Sequence, residues 1–103
     1  KIDFAKYSIN EQIQICSSAW AIIGCEGAAF CNQIFMPKSS LIIAICHQTK
    51  VGHISFQKPI AKYMNHEFHT ITYNDASDEE NNIIIEKIIN ISKNHSINSK
   101  QLK

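Results

Sequence analysis

Apolar residues along this chain gather in stretches whose spacing changes from helical to extended and back. Ile9, Ile13, Cys16 and Trp20 fall at i, i+4, i+7 and i+11, which predicts a helix over 8–20 with those side chains on one face. Ser8 and Glu11 have capping-box spacing at its start. The run 20–23 is continuously apolar, as in a short strand covered on both faces, and 24–27 breaks it. A short helix over 28–36, carrying Phe30, Ile34 and Phe35, should stop at Pro37, because the residue before proline avoids helical dihedrals. "LIIAIC" at 41–46 reads as a second buried strand, followed by a polar loop through Gly52. A helix beginning near Pro59 runs through Ile60, Tyr63 and Met64, and "FHTITY" at 68–73 is a third strand. Ser77 and Glu80 open a last helix with acidic residues in its first turn, and Ile84, Ile85, Ile88, Ile89 and Ile91 supply its apolar face. Beyond Asn94 the chain is polar and should fray.

Alternation of this kind with short connections predicts an α/β fold, a short parallel sheet flanked by helices in a Rossmann-like three-layer arrangement. Three strands leave open edges, which suits a piece of a larger doubly wound domain. The expected organisation is one half-domain over 1–95 and a polar tail over 96–103.

Composition narrows the partners. A net charge of +1 over 103 residues gives no broad field to attract nucleic acid, and no apolar run is long enough to span a membrane. Every basic residue is a lysine, so a bound anion must be held by backbone amides, Lys or His rather than by a guanidinium fork. The cysteines at 16, 25, 31 and 46 show no C-x-x-C spacing and sit among apolar or small residues, which favours reduced thiols and a reducing, cytoplasmic compartment. The chain starts at Lys1, and the expectation is a fragment lacking its upstream half.

In an open parallel sheet, ligands gather beyond the carboxyl ends of the strands. The stretch from Gly24 to Ala28 is expected to be such a strand-to-helix turn, where amides and a helix start favour an anion such as a diphosphate. The same spacing also fits a purely structural turn, since neither the three-glycine dinucleotide fingerprint nor the P-loop Lys-Ser/Thr is present.

"SINEQIQICSSAWAIIGCEGAAFCNQIFMPKSSLIIAI", residues 8–45, resembles the signature of glycosyltransferase family 61. That signature has an E-Q-I helix ending in S-S-A, an apolar strand, G-x-H-G-A-x-x-x-N, then F-M-P-x-x-S and a V-I-E-I strand. The matching residues are Glu11, Gln12, Ile13, Ser17, Ser18, Ala19, Gly24, Gly27, Ala28, Asn32, Phe35, Met36, Pro37 and Ser40. The resemblance implies part of the C-terminal, donor-binding half of a GT-B fold. It also implies sugar transfer from a nucleoside-diphosphate sugar to a hydroxyl of a carbohydrate or glycoprotein acceptor, with inversion, in polysaccharide or glycoconjugate synthesis. Such enzymes typically need no bound metal or other cofactor, and no D-x-D pair occurs here. Animal and plant relatives work in the secretory lumen, so the Golgi or endoplasmic reticulum is the alternative location.

On this basis the amides of Gly27, Ala28 and Ala29 hold the diphosphate, Gly24 belongs to the same substrate-binding turn, Asn32 either braces that turn or reaches the ligand, and His47, just past the second strand, faces the ligand cleft. Glu26 stands where the family has His, and is the expected catalytic base or a polar contact to a sugar or ribose hydroxyl. Ala44 stands where the family's V-I-E-I has its acid. These two departures are what a non-catalytic nucleotide-sugar-binding or interaction module derived from such an enzyme would show.

Two rivals follow from the residues themselves. Cys25 between the glycines suggests a thiol nucleophile but lacks the symmetry of a nucleophile elbow. His66 and His69, with His47 and His53 upstream, suggest a metal. A spacing of three on a strand puts side chains on opposite faces, so solvated loop histidines are the plainer reading. Trp20 and the final helix are expected to be core.

Overall fold

A computed structural model describes residues 6–25, 33–54 and 57–101; for 51, 53, 54 and 96–101 it describes the backbone alone. In chain order the elements are α1 (Ile9–Ser18), β1 (Ala21–Cys25), β2 (Leu41–His47), a 3-10 helix (Gln48–Ile54), α2 (Gln57–Tyr63), β3 (Glu67–Tyr73) and α3 (Asp78–Gln101). The strands form one sheet in the order β1-β2-β3, parallel throughout, with Ala21 opposite Leu41 and Leu41 opposite Glu67. This is the small α/β, Rossmann-like arrangement that the alternating pattern predicts.

The central strand shows why its sequence does not alternate. Ile42, Ala44 and Cys46 project to one face, where they meet Cys16 of α1, Met36 and Phe68. Leu41 and Ile43 project to the other, against Ile71 and Ile84 of α3. Helices cover both sides, so every position from Leu41 to Ala44 is fully buried.

β1 departs from expectation. It begins at Ala21 and continues through Gly24 and Cys25, which pair with Ala44 and Ile45, so the chain leaves the sheet only after Cys25. As an edge strand it is half covered, with Ile23 43% exposed. Trp20 is 56% exposed and is not core.

The helix ends follow their capping residues. Ser8 Oγ accepts the Glu11 N–H at 3.2 Å and Glu11 Oε1 accepts the Ser8 N–H at 2.9 Å, completing the capping box. α1 stops at Ser18, and Ile9 at its start is exposed. At α3 the box is half made. Ser77 Oγ accepts the Glu80 N–H, but Glu80 reaches past the cap to accept the N–H groups of Asn74, Asp75 and Ala76. Ala76, at φ 54°, helps curl those amides into a concave nest that holds the carboxylate. α3 runs helical to Gln101 instead of fraying after Asn94. Its apolar contact with the sheet is the narrow row of Ile84, Ile88 and Ile91, while Ile83, Ile85 and Ile89 are exposed.

Smaller differences are of boundary. α2 starts at Gln57, two residues before Pro59, and β3 at Glu67. The segment expected to be loop from 48 is a 3-10 helix. Of the helix expected over 28–36, residues 28–32 lie outside the described residues, and 33–35 form a 3-10 turn closed by Met36 N–H on Gln33 O at 3.1 Å.

Candidate functional site

The carboxyl end of the sheet is where β1 delivers Gly24 and Cys25. Gly24 is extended strand without positive φ, and a Cβ there would meet nothing within 4 Å. It points to the α1 face beside buried Ala44, so two small residues in register leave room at this corner. Cys25 is exposed and its thiol is free, as is the buried thiol of Cys16, and Cys46 is buried on β2. Burial pushes the Cys16 thiol pKa up, which keeps it protonated and inert. Glu26, Gly27, Ala28, Ala29 and Asn32, the core of the expected site, lie outside the described residues, as does Cys31.

His47 ends β2 at this same end of the sheet, and protein groups occupy its ring. Its Nε2 donates to Asn74 O at 3.0 Å, while Nδ1 accepts from the Thr49 hydroxyl at 2.7 Å and the Thr49 N–H at 3.2 Å. That pattern is satisfied by the neutral tautomer protonated on Nε2. Tyr73 meets the ring edge-on at 5.6 Å, and Gln48 Nε2 donates to Asn74 Oδ1 at 2.8 Å. Together with the Glu80 nest, these bonds brace the ends of β2 and β3 into a fixed rim beside β1.

A second cluster lies at the opposite, amino end of the sheet. Glu67, the first residue of β3, accepts from His69 Nε2 at 2.6 Å and from His95 Nδ1 of α3 at 3.2 Å. Trp20 stacks on His95 at 5.9 Å with planes 12° apart. Burial alone would push the Glu67 carboxyl up. The hydrogen bonds and charges of the two imidazoles outweigh it and leave the pKa below its ordinary value. The sequence reading missed this cluster, because Glu67 and His95 are far apart in the chain and neither belongs to a motif.

His66 and His69 diverge. His69 bonds Glu67 on the α3 side. His66 is buried against Gln33 and Pro37, which corrects its expected place among solvated loop histidines. Among the described residues no three His, Cys, Asp or Glu side chains converge as metal ligands, and no helix is long and apolar enough to cross a membrane.

Residues 1–43 match the protein-family model described as Glycosyltransferase 61. The matched stretch takes in α1, β1, the segment 26–32 and the first three residues of β2, so it includes Gly24 and Cys25 and ends before Ala44 and His47. No curated protein and no solved structure matches the chain.

Proposed function

We propose, from the premise that residues 1–43 carry glycosyltransferase family 61 sequence, that this chain supplies the donor-binding half of a GT-B sugar-transfer enzyme. Residues 1–95 form the half-domain that binds the nucleoside-diphosphate sugar, and an N-terminal half of the same protein completes the cleft and the acceptor site. The observation that carries the reading is the family match falling across the strand that feeds the carboxyl end of a parallel sheet.

The chemistry requires a departing diphosphate to be stabilised as the acceptor hydroxyl attacks the anomeric carbon. Amides of Gly27, Ala28 and Ala29 serve that purpose without side-chain cations. Glu26 takes the hydroxyl proton, and inversion follows from a single displacement. Asn32 supports the turn, Gly24 lets the ligand approach the strand end, and His47 with its braced rim bounds the site. The proposed setting is polysaccharide or glycoconjugate synthesis in the cytoplasm, with a secretory lumen as the alternative.

Gly27→Val tests the site. The variant should keep the parent's circular dichroism and lose binding of nucleoside diphosphate in titration calorimetry on the intact protein. Unchanged affinity would count decisively against the reading.

Ala44 favours a second reading, a binding module without turnover. It sits fully buried beside Gly24, so the acid that the family places here is missing from the root of the proposed site. Nucleoside-diphosphate binding with no transfer by the intact protein would select this reading over the enzyme.

A further inference from the structure

Charge nearly cancels over the whole chain but is segregated along it. Residues 27–66 carry Lys38, Lys50, Lys58 and Lys62 and no acidic residue. Residues 67–86 carry Glu67, Asp75, Asp78, Glu79, Glu80 and Glu86 and no lysine. The fold turns this separation in sequence into one in space. Gln57 of α2 accepts from Gln33 at 2.9 Å, and Gln33 in turn faces His66 at 3.1 Å. His66 is in step with Phe68 on the α1 side of β3, so α2 covers the side of the sheet opposite α3.

Gln57 and Ala61 form the buried side of α2, while Lys58 and Lys62, four residues apart, share its outer face. Lys38 joins them. The next residue, Ser39, donates its N–H to Met64 O at 3.5 Å and accepts from Asn65 Nδ2 at 3.3 Å, which sets the 38–39 turn beside the last turn of α2. Tyr63, next to Lys62, is 87% exposed. Among the described residues, the ammonium of none of these three lysines forms an ion pair or a hydrogen bond. The face therefore presents unneutralised positive charge around one protruding phenol.

We propose that this outer face of α2, with Lys38, Lys58, Lys62 and Tyr63, docks on an anionic lipid bilayer. Lysine ammoniums are compact point charges that suit a diffuse negative plane, and no arginine is present to grip single phosphates by a fork. A phenol has an apolar ring and a polar tip, the combination favoured at the headgroup boundary of a bilayer. With the acidic first turn of α3 on the far side of the sheet, the charge distribution orients the molecule so that α2 meets a negative surface first. The inference is independent of the donor reading, since it uses neither the amides of 27–29 nor any sugar.

Co-sedimentation of the whole chain with vesicles tests this. At about 0.1 M salt, half-binding should need about a hundredfold less lipid when about a third of the phosphatidylcholine is replaced by phosphatidylglycerol. Raising the salt to about 0.5 M should remove most of that preference. Lys58→Gln/Lys62→Gln, with unchanged circular dichroism, should weaken binding about thirtyfold, or about fivefold per charge. Lys87→Gln/Lys93→Gln removes the same net charge from exposed positions on α3 and should change binding by less than about twofold. Equal losses in the two double variants would show attraction to net charge alone and overturn the assignment to α2. Equal binding to both kinds of vesicle, or binding to neither, would also overturn it. Retention on heparin without vesicle binding would give the face to a soluble polyanion and sink the bilayer docking.

Discussion

β1 and β2 are near copies in composition, an apolar pentapeptide "AIIGC" lying in register against "LIIAI", yet their environments differ at every step. Leu41, Ile42, Ile43 and Ala44 are fully buried, whereas β1 is half covered and Ile23 is 43% exposed. The difference comes from position. β2 has a strand on each side and helices above and below, while no strand pairs with the outer side of β1 among the described residues. Hydrophobicity makes both segments strands, and topology decides which becomes core. The less protected strand is also the one that leads into the proposed site, so the part of the sheet to which function is proposed is the part with least packing to hold it.

The sharpest way to break this contrast is Ile43→Ala. Removing a fully buried side chain from the layer shared with Ile71 and Ile84 should cost about 2–5 kcal/mol, read as a lower midpoint in urea denaturation. A loss below about 1 kcal/mol would mean that the α3 layer can close around the gap, and that β2 is less central than its burial implies. Next in size is Glu80→Ala, which empties the nest of the Asn74, Asp75 and Ala76 amides. This end of the sheet relies on hydrogen bonds rather than packing, and the expected cost is about 1–2 kcal/mol, as for loss of a helix cap. Loss of protection at those amides in hydrogen exchange should accompany it.

What could be read from sequence follows from range. The Ser8–Glu11 box and the doubly buried run at 41–46 are local devices, set by residues within one turn or one strand, and both are found where their spacing puts them. The strand order also follows, since short alternating connections admit few topologies. Trp20 was legible as apolar but not as exposed, because nothing local distinguishes an edge from a centre. Glu80 has the spacing of a capping box, yet its carboxylate serves three amides upstream of the cap, since Ala76 takes a left-handed conformation that no pattern announces. Glu67 with His95, and Gln33 with Gln57 and His66, are brought together only by the fold. Of the candidate site, the corner at Gly24, Ala44 and His47 could be placed, and its motif was legible through a family resemblance rather than through physics.

Acid should separate the two histidine clusters by pH range. His66 has a folded pKa below its unfolded one, so its contribution is full above the ordinary histidine range and is lost as pH falls through that range toward the folded value. Glu67 is also lowered. Its contribution is present above the ordinary carboxylate value and is lost as pH falls through the folded value. Stability measured against pH should thus decline in two steps, with His66→Gln flattening the upper and Glu67→Gln the lower. The Glu67 side chain is 33% exposed, so solvent screening limits the lower step to about 1 kcal/mol or less. A Glu67→Gln profile identical to that of the parent would show that the imidazole pair contributes nothing to folding.

The smallest effect completes the comparison of strands. Ile23→Ala removes the same atoms as Ile43→Ala from the residue directly opposite it in the register, so side-chain chemistry is held constant and only position differs. With Ile23 already 43% exposed, the expected loss is about 0.5 kcal/mol, close to that of an ordinary surface substitution. A cost matching that of Ile43→Ala would reverse the inference from topology. It would require the outer side of β1 to be covered in solution, and the midpoint of unfolding should then rise with protein concentration if a second copy provides the cover. A midpoint independent of concentration, together with a small loss, leaves β1 as an open edge that carries the proposed site without being braced by it.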